Sequence, residues 1–453
     1  MRSLIFISLF LLTLVHISAA FAQGRSSPII IRDTEIEKIL QEWGAPLLQA
    51  AGMPPESVNI VLVQSPDLNA FVAGGSNIFF FTGLIERTEN PGELLGVYAH
   101  ELGHVAGGHL ISMQGALERA SFESILGMVL GIGAAIATGN GEVASAVVMG
   151  SSSMAQRRFL SHSRVNESAA DQAAMSFMER AGKDPSGMGS FLSKLESEEL
   201  LPSHQQSEYV RTHPLTQNRI QAVQARAEKS PYYRQGWPEE WVEQHARMKA
   251  KILAFTNPGR VPWVYSDSDR SIAAQYARAV AAYRENNIDR AIRAIDALIE
   301  AEPNNPYFLE LKGQMLVDFG RIDQAVPYYR QAISLLPDAP LIRIAYAHAL
   351  MQSSGGQASL NEVIENLQRA LVVERRSGHA NRLLATAYGR NGREDIARVY
   401  LAEEALLQRN FDYAKRQAES ALQSLEPNSR EAIKAQDIVV FVDSQKGLGN
   451  SRN

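Results

Sequence analysis

The run Glu93-Leu94-Leu95-Gly96-Val97-Tyr98-Ala99-His100-Glu101-Leu102-Gly103-His104 decides how the rest of the chain is read. Leu94, Leu95, Val97 and Tyr98 supply the apolar content of a buried helix. Two histidines four residues apart then lie one above the other on a single helix face, where both imidazoles reach one metal ion. Glu101 follows the first histidine directly, in place to take a proton from an attacking water. Five residues also match by chance, as a helix with two half-buried histidines, so the remainder of a site must come from elsewhere.

A catalytic zinc needs a third protein ligand and an open position. One class of site takes a third histidine six residues after the second, but position 110 is Leu and His109 misses by one residue. Another class takes a glutamate from a second helix, and Asn166-Glu167-Ser168-Ala169-Ala170-Asp171 offers one. Glu167 and Asp171 share a helix face, so Glu167 can ligate while Asp171 orients a ligand histidine. Taken alone, this segment reads as an acidic helix start capped by Asn166.

Together the two motifs resemble the M48 family of zinc metallopeptidases, of the gluzincin type. Asn69-Ala70-Phe71-Val72-Ala73-Gly74-Gly75-Ser76-Asn77-Ile78-Phe79-Phe80-Phe81-Thr82-Gly83-Leu84 is similar to that family's active-site edge strand. Thr212-His213-Pro214-Leu215-Thr216-Gln217-Asn218-Arg219-Ile220 is similar to its downstream His-Pro segment. The similarity spans residues 36–227. It implies a zinc endopeptidase with one Zn2+ on His100, His104 and Glu167, Glu101 as general base and Asp171 behind a ligand. It also implies that Ser76, Asn77, Ile78, Phe79 and Phe80 pair with an extended substrate. The competing reading of that strand is a core strand, which the three consecutive phenylalanines favour.

Composition sets the frame. With 453 residues, two or three domains are expected. A net charge of -5 argues against nucleic acid as a partner. The chain has no cysteine, which excludes thiol catalysis, disulfides and thiolate metal sites. Met1-Arg2, an apolar run over residues 4–15 and Ala20-Phe21-Ala22 read as a secretory signal peptide over residues 1–22, cleaved after Ala22 and directing the chain to a bacterial periplasm.

In chain order, residues 34–51 carry Ile36, Ile39, Leu40, Trp43 and Leu47 at helical spacing, and residues 58–63 read as a strand. Residues 125–150 are apolar and glycine-rich but interrupted at Gly139-Asn140-Gly141-Glu142, so each half is too short to span a membrane. They read as a helical hairpin packed beside the site or making peripheral contact with a membrane surface. Residues 200–211 read as a polar loop over the cleft. Pro214 then reads as the first residue of a helix running to about Ala227. His213 is read either as an oxyanion stabiliser or as an imidazole that fills the open zinc position; His109, His162 and His204 are set aside.

Residues 256–270 read as a linker, and beyond them the chain repeats. Ala291 and Ala325, like Pro303 and Pro337, are 34 positions apart, and Gly313, Ala325, Tyr329, Ala332 and Pro337 fall at the spacings of a helix pair. This resembles a tetratricopeptide (TPR) array of about four helix pairs over residues 271–443, with residues 444–453 as a disordered tail. The expected fold is therefore mainly α: an α+β gluzincin-type peptidase domain over residues 23–255 with a small edge sheet, followed by an all-α solenoid. Such arrays form concave peptide-binding surfaces. The domain order resembles that of periplasmic proteases with chaperone-like roles, which implies unfolded or stalled outer-membrane proteins as substrates and the outer-membrane assembly machinery as a partner through the TPR array. The alternative is a TPR-based binding protein with a structural zinc domain, against which Glu101 argues, since a structural site has no use for a base.

Overall fold

The computed structural model describes residues 29–109, 164–199, 201–202 and 205–450. The stretch 1–22 read as a signal peptide, the apolar stretch 125–150, His162 and His204 lie outside those residues.

Helix α1 (Thr34–Ala50) starts where Asp33 accepts a hydrogen bond from the Ile36 N–H, and it buries Ile36, Ile39, Leu40, Trp43 and Leu47 as their spacing predicts. Strands β1 (Ile29–Ile31), β2 (Asn59–Gln64), β3 (Ala70–Ala73) and β4 (Asn77–Phe81) form one sheet in the order β1-β2-β4-β3. The β2–β4 pair is parallel and the other two pairs are antiparallel. Gly74 and Gly75 turn the β3–β4 hairpin with φ of 61° and 92°, a region that favours glycine. Along β4, Ile78 and Phe80 enter the core beneath α1. Phe79 stacks on Phe71, with ring centroids 4.7 Å apart.

This topology corrects the expectation for residues 76–80. β4 lies between β2 and β3, so the backbone groups of Asn77, Ile78, Phe79 and Phe80 are already committed to neighbouring strands. The carbonyl of Ser76 accepts from the Asn59 N–H. An extended substrate has no ladder to join there. Three buried phenylalanines in a row are the mark of a central strand, and among the described residues the outer strand on that side is β3.

After α2 (Thr82–Arg87), helix α3 (Pro91–Ala106) begins with Asn90 accepting from the Glu93 N–H and Pro91 in the first turn. Tyr98 stacks on Phe80 at 5.8 Å, seating α3 against the sheet. Helix α4 (Arg164–Arg180) crosses α3 at Gly103. A Cβ at position 103 would sit 2.7 Å from the carbonyl oxygen of Ala170, so only glycine lets the two backbones come this close. That approach is what delivers α4 side chains to the histidines of α3.

Helices α5 (Ser186–Lys194), α6 (Glu196–Glu199), α7 (Glu208–Thr212), α8 (Gln217–Glu228) and α9 (Glu239–Thr256) complete this half. The stretch read as a loop over residues 200–211 thus contains the short helix α7. Helix α8 starts later than expected: the Thr216 hydroxyl accepts from the Arg219 N–H and makes Gln217, not Pro214, the first helical residue.

The expected linker is also structured. A 3-10 turn (Pro258–Arg260) and α10 (Val261–Val264) follow α9. Val261 is buried in one core with Ala250, Leu253, Tyr276 and Val280, so apolar packing continues across the boundary. The repeats then run as α11 (Ile272–Arg284), α12 (Ile288–Ala301), α13 (Pro306–Asp318), α14 (Ile322–Leu335), α15 (Pro340–Gln352), α16 (Leu360–Val373), α17 (Gly378–Arg390), α18 (Glu394–Leu407), α19 (Phe411–Leu422) and α20 (Arg430–Asn450). Among the described residues that makes five helix pairs, where about four are expected. The last helix runs to Asn450, into the stretch 444–453 read as a tail, and Ala435, Ile438 and Val442 of that helix are buried. Within the α13–α14 pair, a Cβ at Gly313 would meet the Tyr329 ring at 2.9 Å, the close packing that the repeat signature implies.

Polar contacts join the two halves. Lys251 of α9 is bound by Asp33 at 2.7 Å and Glu35 at 3.0 Å, and Tyr276 of the first repeat donates to Glu35 at 2.8 Å. Arg32 pairs with Glu374, 342 residues away, at 2.6 Å.

Candidate metal centre

Helix α3 presents His100 and His104 on one face, and α4 meets that face with Glu167 and Asp171. The two imidazoles converge: His100 Nε2 lies 3.1 Å from His104 Nε2. Glu167 closes the triangle, with Oε2 3.3 Å from His100 Nε2 and Oε1 3.4 Å from His104 Nε2. Four ligand atoms, from His100, His104, Glu167 and His213, lie within 4.8 Å of one another, and all four residues are buried. Donor atoms around a tetrahedral zinc at roughly 2.0–2.1 Å stand roughly 3.3 Å apart, which the His100–His104–Glu167 spacings match.

Two further observations favour a cation here. Both carboxylate oxygens of Glu101 are buried without a conventional hydrogen-bond donor, an expensive arrangement unless a positive charge sits beside them. His100 Nδ1 lies 2.9 Å from Asp171 Oδ1, which turns its Nε2 towards the cluster, as a carboxylate behind a ligand histidine does. The structure therefore brings together His100, Glu101, His104, Glu167, Asp171 and His213, and leaves the β4 residues out.

His213 ends α7 and is buried, with its ring stacked on Tyr209 at 4.5 Å. The Thr212 hydroxyl lies 2.9 Å from His213 Nδ1. His213 Nε2 is 3.3 Å from Glu101 Oε1. Its burial rules out a histidine that merely caps a helix at the surface.

The centre is electrostatically tuned for positive charge. Burial pushes the Glu101 carboxyl up to about 8. Burial also opposes a charge on His100, but Asp171 and Glu167 outweigh it and hold the imidazole up to about 10. Asp171 is held below the usual carboxylate range: burial works against it, and hydrogen bonds from Arg219 and His100 prevail. A bound divalent ion would take over the role that protons play in these pairings.

Two participants escape the motif-based reading. Arg219 is buried and binds Asp171 through both ends of its fork at 2.7 Å and 2.9 Å. The available signal was its place in the first turn of α8, where the helix dipole disfavours a cation. His109, set aside as a ligand, instead lies with Nδ1 2.9 Å from His104 Nδ1.

The comparisons with known proteins agree with this geometry. Residues 32–227 match the profile of Peptidase family M48, and residues 276–340 match Tetratricopeptide repeat. Residues 32–227 are an M48 peptidase domain. The Beta-barrel assembly-enhancing protease of Escherichia coli (strain K12) is 26% identical over 351 residues, covering 75% of this chain and 70% of that protein. The protein of the same name from Yersinia pestis is 25% identical over 345 residues, with the same coverage of each. A solved MamA structure aligns with 37% of this chain and 97% of its own, at 18% identity and a TM-score of 0.31. The M48 assignment makes the chain a metalloendopeptidase carrying C-terminal helical repeats. No helix among the described residues is long and apolar enough to cross a membrane.

Proposed function

We propose that this M48 chain is an exported zinc endopeptidase of the bacterial periplasm that acts on unfolded or stalled outer-membrane proteins, with its TPR array recruiting them or their assembly machinery. The observation that carries the catalytic part is the convergence of His100, His104 and Glu167 beside the unbonded carboxylate of Glu101. The peptidase-plus-repeat order and relatives named for β-barrel assembly support the physiological part.

His100, His104 and Glu167 would hold the zinc. When bound, such an ion polarises the peptide carbonyl and acidifies water, bringing it to a pKa of roughly 7. Glu101 takes the proton from the attacking water and delivers it to the departing amine. Asp171 keeps His100 in the tautomer whose Nε2 is free to ligate. Tyr209, stacked on His213, also ties this segment to the sheet through its N–H on the Leu68 carbonyl at 3.1 Å. Asn69 uses its carbonyl on Phe81, so Ala70 and Val72 direct their backbone groups to the opposite, outer edge of β3. An extended substrate is therefore assigned to β3 rather than to β4.

Of the two roles for His213, the blocking one is favoured, because its ligand atom already belongs to the four-membered donor cluster. Incubating the zinc-loaded chain with unfolded outer-membrane protein and with folded controls tests the proposal: selective cleavage of the unfolded protein supports it, and absence of cleavage even in the His213→Ala variant contradicts it.

A further inference from the structure

Three carboxylates crowd one buried centre: Glu101, Glu167 and Asp171 are each at most 2% exposed. Glu167 and Asp171 stand one turn apart on α4, where like charges repel. Buried charges persist only when paired. A divalent ion supplies two of the three positive charges required, and Arg219, 4% exposed, supplies the third. Its guanidinium does more than balance charge. Nε and Nη2 fork onto Asp171, Nη1 stands 3.0 Å from Glu167 Oε2, and Nη1 also donates to the Pro214 carbonyl at 2.7 Å. One side chain therefore touches the ligand glutamate, the carboxylate behind His100, and the residue that follows His213.

We propose that Arg219 is the positioning residue of this centre, clamping Glu167, Asp171 and the His213 segment into one unit so that metal retention depends on its forked geometry. The proposal rests on the metal-site reading above. Lysine cannot replace it, because a single ammonium has neither the planar fork nor the reach to three partners at once. Charge and geometry predict opposite signs. Loss of the positive charge alone leaves the site more negative and would tighten zinc, whereas loss of the clamp frees the ligand carboxylate and weakens zinc.

The test is chelator competition for zinc with the full chain, comparing the wild type, Arg219→Gln and Arg219→Lys, with visible absorption of the cobalt-substituted proteins as a second readout. The expected result is one zinc in the wild type and about 10–100-fold weaker binding in both variants, the scale for losing such a supporting contact, with shifted cobalt bands. Asp171→Asn, which cuts the same fork from the other side, should shift the cobalt bands in the same sense, and covers the case in which Arg219→Gln does not fold. Tighter zinc in Arg219→Gln with wild-type behaviour in Arg219→Lys would overturn the clamp and leave only charge balance. Affinity and cobalt bands unchanged in both variants would also overturn it. A wild type that binds no zinc would instead overturn the metal-site reading itself.

Discussion

His213 Nε2 and Glu101 Oε1 lie 3.3 Å apart inside a buried cluster, so the carboxylate assigned as base faces an imidazole competing for the same space. His213→Ala should therefore keep zinc and cleave an unfolded substrate faster than the wild type, with self-cleavage on storage. If His213 were an oxyanion donor, the same change would lower kcat by about 10²–10³-fold. Initial rates on unfolded casein, with metal content measured in parallel, separate the two by sign.

Glu167→Gln and His104→Ala should each lose zinc together with activity, because each removes one of three ligands outside the His213 position. Asp171→Asn leaves the ligands in place and should cost about 10–100-fold in affinity. Full zinc occupancy in Glu167→Gln would remove it from the ligand set.

Much of this centre was legible because helical periodicity places side chains before any tertiary structure is known. His100 and His104 are one turn apart, and so are Glu167 and Asp171, so two short motifs, with Glu101 between the histidines of the first, name five of the six clustered residues. What the motifs lacked was strand order. The run Ser76–Phe80 carries the same residues whether it lies at an edge or in the centre, and only pairing with β2 and β3 decides that. Arg219 is hidden for a related reason: its forked partner Asp171 is 48 residues upstream on another helix. Pro258, Gly259 and Pro262 suggest a boundary between the halves, but turn residues mark a bend and say nothing about whether Val261 is buried beside it.

The shared core around Val261 makes a specific claim about excision. Residues 239–450 should melt cooperatively and at higher temperature than residues 271–450, because the shorter piece exposes Tyr276, Ala277 and Val280 where α9 and Val261 cover them. Each large apolar side chain uncovered costs about 1.5–3 kcal/mol. Circular dichroism melts of the two fragments decide this; equal melting temperatures would mean that the repeats end their core at residue 271.

His245 gives the fold a pH dependence away from the metal centre. Buried against Thr88, with its Nε2 2.8 Å from the Thr88 hydroxyl, it is driven down to about 3 by burial and by Lys249 and Lys194. Its folded pKa is below the unfolded value, so stability is intact above about pH 6.5 and falls as the pH drops, since only the unfolded chain takes up the proton. From pH 7 to pH 5 the loss should be about 2 kcal/mol, and His245→Gln should lack that component. Urea unfolding of both proteins at the two pH values measures it; identical pH slopes would contradict the assignment.

The central claim is that Glu101 is the base of a zinc site whose ligands are other residues. Its most direct test is the Glu101→Gln variant, assayed at once for bound zinc and for cleavage of an unfolded protein substrate. One zinc per chain, with cleavage reduced about 10²–10⁴-fold, is the predicted result. Cleavage near the wild-type rate with zinc in place would contradict it.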